Sequence, residues 1–375
     1  MIADIERLVT IESPSADRAA VARSAEVVAA MGTAHLGAAP EQVVLDGRTH
    51  LRWRLGGGPR RVLVLAHHDT VWPIGSLDTH PFAVRDGVMR GPGCFDMKSG
   101  LAMAFHALAA LSSTDGATLL VTGDEELGAP SSRELIEGEA TGCAAALVLE
   151  ASADGGALKT QRKGISRYDV HLRGRAAHAG LEPERGVNAS MEAAHQIQAV
   201  AALADPAAGT TVTPTLLSAG TTTNTVPAAG RFAVDVRVWD AAEQARVDVA
   251  MRRLRPVLDG AEVEVVGGPN RPPMSADASA DLFLRAQQLA AGLGIGPLTS
   301  AAVGGASDGN FAAGVGTPVL DGLGAVGGGA HADDEHLLVA ELAPRTALVA
   351  ALIDDLLAAP SVRTGQAAAT GGGRR

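Results

Sequence analysis

The order of predicted elements changes twice along this chain, and no other feature constrains the fold as strongly. Arg61–His67 (RVLVLAH) is a continuous apolar run, the pattern of a strand buried on both faces of a sheet. A helix is expected over Met97–Leu111, then strands over Ala117–Thr122 and Ala145–Glu150. Strand–helix–strand alternation builds an α/β layer with a largely parallel sheet flanked by helices. From about Lys159 the pattern switches. Ser166–Gly174 alternates apolar and polar residues, as a strand with one buried face does, and Val187–Leu203 carries Met191, Ala194, Ile197 and Val200 at helical spacing. Strands Thr211–Gly220 and Arg231–Trp239, helix Ala241–Leu258 and strand Ala261–Gly268 follow. This β-α-β-β-α-β order is ferredoxin-like. After the proline-rich turn Asn270–Met274 the first pattern resumes, with helix Ala280–Leu293, a strand in TPVLDGL and helix Leu342–Leu357. The expected organisation is one α/β domain over 1–160 and 273–360, interrupted by a ferredoxin-like domain over 161–272. The Gly/Ala/Thr-rich tail, 361–375, is expected to be disordered.

Composition removes several functions. The net charge is −11, which argues against nucleic acid as a partner, because phosphate neutralisation needs a basic face. No apolar run reaches the roughly 18 residues of a membrane span. The opening residues, MIADIERLVTIESPS, read as helix from Ile5, Leu8 and Val9 and lack the apolar core of a signal peptide, so a cytoplasmic location is expected. The two cysteines, Cys94 and Cys143, are too few for a disulfide framework or a thiolate-rich metal site. Any metal must be held by histidine and carboxylate.

Those residue types gather where an α/β sheet binds its ligands, at the carboxyl ends of the strands. The first strand ends in His67-His68-Asp69. Alternate residues of an extended chain share a side, so Asp69 can hold the His67 ring from its second nitrogen. Asp96 follows in a glycine-flanked turn before a helix. The strand Ala117–Thr122 runs into Glu125-Glu126, and Ala145–Glu150 ends on Glu150 itself. Far downstream, VGGGAH delivers His331. Taken alone, Asp96 reads as a helix cap, Glu125-Glu126 as a solvated turn and His331 as a loop histidine. Taken together, successive strand ends carrying metal-competent residues, with no competing Ser, Cys or Lys constellation, point to a pair of zinc, manganese or cobalt ions. His68, His80, His106, His171 and His195 are assigned no chemistry.

The series AHHDTVWP, GPGCFDMKSG, TGDEELG, LVLE, RAAHAG, GGASDGN and GAHADDEHL resembles the co-catalytic zinc exopeptidase family, peptidase family M20, over roughly residues 1–360. The resemblance implies two zinc ions per subunit, with His67 and Glu150 on one, Glu126 and His331 on the other, and Asp96 bridging them. It implies Asp69 behind His67, Glu125 as the general base toward a water between the metals, and a cis peptide at Asp96–Met97. It implies that His178, in RAAHAG, reaches the active site of a partner subunit, making a homodimer assembled through the inserted domain. Arg237 matches an arginine that meets a substrate carboxylate, and Asn224 a nearby polar contact. Gly304-Gly305 offers a loop whose backbone can approach the substrate. Ala306 stands where the desuccinylase branch has a hydroxyl residue, and the motifs around Asp69 and Asp96 sit nearer the glutamate carboxypeptidase branch. The implied activity is release of a C-terminal amino acid from a short peptide or N-acyl amino acid. Deacylation of N-acyl amino acids is the alternative, and a non-catalytic binding role a remote one.

Overall fold

The computed structural model describes residues 1–359, so the tail at 361–375 lies outside the described residues. Ten strands organise it: β1 (Glu41–Leu45), β2 (Arg48–Arg54), β3 (Val62–His67), β4 (Ala117–Thr122), β5 (Ala145–Val148), β6 (Gly164–Arg173), β7 (Thr211–Ala219), β8 (Ala229–Val238), β9 (Glu262–Arg271) and β10 (Val319–Leu320). The helices that pack on them include α1 (Ile2–Thr10), α2 (Arg18–Leu36), α3 (Ser99–Ala109), α4 (Ala189–Ala201), α5 (Ala241–Arg252), α6 (Ala280–Gly292) and α7 (Val339–Ala358), with the shorter Arg133–Ala140 and Gly309–Gly314 on the central sheet.

The central sheet runs β1-β2-β4-β3-β5-β10. Strands β3, β4, β5 and β10 are parallel, as the alternation predicts, and an antiparallel hairpin, β1–β2, closes one edge. Every residue of β3 and β4 is buried, because successive side chains enter two different cores. Val62, Val64 and Ala66 join Leu8 of α1, Leu101 of α3, and Leu348, Val349 and Leu352 of α7 in one of them. Leu63 and Leu65 point the other way, onto Ile136, Ala140, Phe311 and Ala312. With aromatics at 3 % of the chain, both cores are built mainly from aliphatic side chains, as the composition requires.

The second sheet is antiparallel throughout, with order β7-β8-β6-β9. This is the ferredoxin-like arrangement that the β-α-β-β-α-β order predicts. Tyr168, Val170 and Leu172 of β6 alternate toward a core shared with Phe232, Val234 and Val236 of β8, Ala193 and Val200 of α4, and Val247 and Met251 of α5. Helix α4 lies within two residues of its expected bounds, whereas α5 ends six residues short of the expected Leu258. Asn188 caps α4 by accepting from Ser190 and Met191, and α5 stops at Arg252, ahead of Pro256. The chain enters and leaves this sheet at one place: Arg162 and Met274 exchange backbone hydrogen bonds, each 3.0 Å long.

Candidate metal centre and active site

The carboxyl edge of β3, β4 and β5 brings together His67, Asp69, Asp96, Glu125, Glu126 and Glu150, and His331 reaches them from the loop before α7. His67 Nε2 lies 3.5 Å from both Asp96 Oδ1 and Glu150 Oε1. His331 Nε2 lies 3.3 Å from Asp96 Oδ2 and 3.2 Å from Glu126 Oε2. Asp96 therefore turns one oxygen toward each histidine.

The spacing and the lack of protein partners both fit metal ions. Ligand atoms at about 2.0–2.1 Å from one tetrahedral ion stand roughly 3.3–3.4 Å apart. Buried His67 Nε2, Asp96 Oδ1 and Glu126 Oε1 have no hydrogen-bond partner, which is costly unless something else satisfies them. Burial alone would raise the Asp96 carboxyl, yet the His331 and His67 rings that face it hold it far below its ordinary range. The facing carboxylates of Asp96 and Glu126 push His331 up to about 10. These are the electrostatics of an anionic cradle.

Local structure explains how each group arrives. Glu335 is the hub of the Asp96 turn. One of its carboxylate oxygens accepts from the backbone of Phe95 at 2.8 Å and of Asp96 at 3.0 Å. The other accepts from Gly93 at 2.9 Å and from Trp72 Nε1 at 2.6 Å. The Asp96–Met97 peptide is cis. Gly100 lets α3 approach β5 so closely that a Cβ there would collide with the Leu149 carbonyl, and Gly324 sits against the same carbonyl from another side. Glu150 follows directly.

Asp69 meets His67 more closely through its backbone than through its side chain. The nearest partner of His67 Nδ1 is the Asp69 backbone carbonyl at 3.0 Å, with the carboxylate at 3.5 Å. The carboxylate also accepts from the backbone of Glu125 and Glu126, each at 3.3 Å, and so ties the His67 strand end to the Glu125-Glu126 turn.

Glu125 rests on a buried network with no role in the sequence reading. Arg271 Nη2 donates to Glu125 Oε1 at 2.7 Å, to the Glu125 carbonyl at 3.1 Å and to Asp308 Oδ1 at 3.0 Å. Asp308 accepts in turn from Thr122 at 2.8 Å. Burial pushes the Glu125 carboxyl well above its ordinary value, with the Arg271 charge opposing that rise. Beside it, Arg162 makes a bidentate pair with Asp321 at 2.7 and 2.8 Å and donates to the Gly305 carbonyl at 3.2 Å. The sequence signals were present, since Asp308 and Glu335 fall inside GGASDGN and GAHADDEHL, while Arg271 lies in a segment that reads as a plain turn.

The remaining expected residues lie apart from this cluster. Arg237 is half-buried, paired through Nε with Asp235 at 2.7 Å, and its Nη1 stands 3.5 Å from the Gly304 carbonyl. A Cβ on Gly304 would meet nothing within 4 Å, so packing does not demand glycine there. His178 and Asn224 are exposed neighbours on the inserted sheet's loops: His178 bridges Thr225, and the Asn224 carbonyl accepts from Ala179 at 2.9 Å. His178 Nδ1 accepts from Gly180 and Leu181, each at 3.1 Å. Among the described residues, no hydrogen bond or ion pair joins His178 or Asn224 to the carboxylate cluster.

An α/β sheet that gathers imidazoles and carboxylates at its carboxyl edge, around buried atoms lacking protein partners, is the arrangement of a metal-dependent hydrolase. Comparison with known proteins agrees. The pattern of Peptidase family M20/M25/M40 matches residues 63–355. Carboxypeptidase G2 of Pseudomonas sp. (strain RS-16) is 33 % identical over 318 residues, covering 80 % of this chain and 75 % of the relative. Succinyl-diaminopimelate desuccinylase of Roseobacter denitrificans is 29 % identical over 342 residues, covering 82 % and 86 %. The M20 family metallo-carboxypeptidase Sso-CP2 of Sulfolobus solfataricus shares the fold with a TM-score of 0.75 at 14 % identity, over 94 % of this chain and 98 % of that one. The chain belongs to the M20 family of metal-dependent peptidases and amidohydrolases. Among the described residues, no helix is long and apolar enough to cross a membrane.

Proposed function

We propose that this chain hydrolyses the amide bond joining an acyl group to a C-terminal amino acid, as a glutamate-carboxypeptidase-like enzyme with two metal ions per subunit. The observation that carries this reading is the division of Asp96, one oxygen toward His67 and the other toward His331. His67, Asp96 and Glu150 would hold one ion, and Glu126, Asp96 and His331 the other. Zinc suits this donor set, and so do cobalt and manganese. When bound, the pair supplies Lewis acidity to the amide carbonyl and lowers the pKa of the attacking water.

The protein's own groups do the rest. Glu125 takes the proton from the water and passes it to the leaving nitrogen. Arg271 holds one of its carboxylate oxygens, which leaves the other for proton transfer. A base raised by burial is matched to work near neutral pH. Asp69 keeps Glu125 and Glu126 in register with His67. Arg237, with the backbone of Gly304 and Gly305 and the side chain of Asn224, receives the substrate carboxylate, a task suited to the guanidinium fork. The metal-bearing part comprises 1–160 and 273–360. The part over 161–272 forms a homodimer and carries His178 to the partner subunit's site. The substrate is a short peptide or a small N-acyl amino acid.

The desuccinylase relatives favour a second reading, deacylation of an N-acyl amino acid. Comparing kcat/KM on an N-acyl-glutamate and on N-acetylornithine, with zinc, cobalt and manganese added in turn, separates the two. Glu125→Gln tests the shared mechanism. It should lose turnover by several powers of ten while metal content stays near two per subunit. Activity near wild type in that variant overturns the assignment of the base.

A further inference from the structure

We propose that Asp4, His35 and His106 form a separate metal-binding position, sharing no residue with the catalytic cluster and suited to a divalent transition ion such as zinc, nickel or copper. The proposal does not rest on the catalytic reading.

The three residues come from three helices, α1, α2 and α3. Both imidazole Nε2 atoms converge on one carboxylate oxygen: Asp4 Oδ2 lies 2.7 Å from His106 Nε2 and 3.3 Å from His35 Nε2. The ligand atoms of the three residues all lie within 4.8 Å of one another. The two rings are 4.5 Å apart between centroids and tilted by 56°, so their nitrogens approach the shared oxygen from different directions. His35 also lies parallel to Phe105, with ring centroids 6.2 Å apart, which orients its ring. The three side chains are 23 to 28 % exposed, enough for an ion to enter and for the ligands to adjust.

The spacing is close to that of a ligand set. Around one tetrahedral ion the donors stand roughly 3.3–3.4 Å apart. His35 and Asp4 already match that, and His106 must retreat by about 0.6 Å, a small movement for a partly exposed side chain. An ion would replace the hydrogen that now joins His106 to Asp4. The Met1 nitrogen, 3.4 Å from the same oxygen, also faces it and would compete with the ion. Two imidazole nitrogens with a single carboxylate select borderline transition ions over magnesium or calcium, which require oxygen-rich shells. Solvent would supply the fourth donor. Since α3 begins just after Asp96, an ion here would fasten the first two helices to the helix that leads out of the active site.

The test uses the full chain, loaded by equilibrium dialysis against zinc and against nickel, with metals counted per chain by mass spectrometry. Wild type should bind one more ion than His106→Ala or His35→Ala, and the affinity of that ion should fall at least about tenfold in each. Catalytic turnover should not change. Copper(II) paramagnetic resonance should show two imidazole nitrogens in wild type and one in each variant. Asp4→Asn, which keeps the side chain's shape, carries the same comparison if a histidine variant fails to fold. Equal metal counts in wild type and all folded variants overturn the proposal. Because Asp96→Ala disrupts only the other centre, the copper signal should persist in it, and loss of that signal would assign it to the active site instead.

Discussion

Replacing Arg271 with methionine removes the cation that pairs with both Glu125 and Asp308. Both carboxylates accept from the same Nη2, at 2.7 and 3.0 Å, and the Arg271 side chain is 4 % exposed. Their oxygens therefore lie at most about 5.7 Å apart, and at an effective dielectric of about 20 two unit charges at that distance repel by about 3 kcal/mol. Removing one partner of a buried ion pair generally costs about 3–5 kcal/mol, so the two estimates agree. The folded protein can relieve the repulsion by protonating one carboxyl. Burial raises both carboxyls and Arg271 opposes the rise in both, but Glu125 is raised the more strongly, so it is the candidate. Protonated, it cannot accept the proton of the attacking water. Arg271→Met should thus lose about 3–5 kcal/mol in urea denaturation and about 10²–10⁴ in kcat/KM. Adding Asp308→Asn removes the second charge and should restore about 2 kcal/mol of that stability, without restoring full activity. A single variant within about 0.5 kcal/mol of wild type, or a double variant no more stable than the single, would refute the electrostatic argument.

Three further substitutions probe other parts of the molecule. Glu335→Gln halves the acceptor capacity facing Gly93, Phe95, Asp96 and Trp72, and should weaken metal binding at the Asp96 site at least about tenfold in a chelator competition. Glu139 accepts from Arg52 and Arg54 at 2.7 Å and from Arg60 at 2.9 Å. Burial pushes its carboxyl up, but hydrogen bonds from Arg54 and Arg60 outweigh that and hold it below the ordinary value. A depressed carboxylate stabilises the fold above its unfolded pKa and loses that contribution as pH falls through the folded value. Glu139→Gln should therefore cost about 2 kcal/mol at pH 7, and the gap should close as the pH drops below about 4.3 in parallel denaturation series. If His178 serves the partner's site, mixing inactive Glu125→Gln with inactive His178→Ala under subunit exchange should restore activity to about a quarter of the sites. No recovery after demonstrated exchange would place His178 in a role within its own subunit.

The strands that hold the site were legible because burial on two faces leaves a continuous apolar run, as in Val62–His67, and burial on one leaves alternation, as in Tyr168, Val170 and Leu172. The β1–β2 hairpin shows in the sequence only through its turn, Asp46-Gly47, which has the paired positive φ angles that Asp-Gly favours. The helix Arg133–Ala140 and the short strands around Met89 and Leu337 carry too few residues for a period to emerge. In the site, ligand types at strand ends were readable one by one. The supports were not, because Glu335 reaches Asp96 across more than two hundred residues, and no spacing in the chain reports that Arg271 will meet Glu125.

The paired crossing at Arg162 and Met274 bears on how this protein can be cut apart. By backbone alone the ferredoxin-like sheet is a detachable cassette, since its two ends meet and a short turn could close the gap. The charges draw a different line. Arg162 stands at the entrance and Arg271 at the exit, and each guanidinium is buried against a carboxylate of the α/β part. A graft or deletion made at the natural seam would carry off the cation beside Glu125 and strand Asp308 and Asp321 without counter-charges. A working chimera must therefore place its junctions inside the excursion, after Arg162 and before Arg271, and keep both arginines with the scaffold.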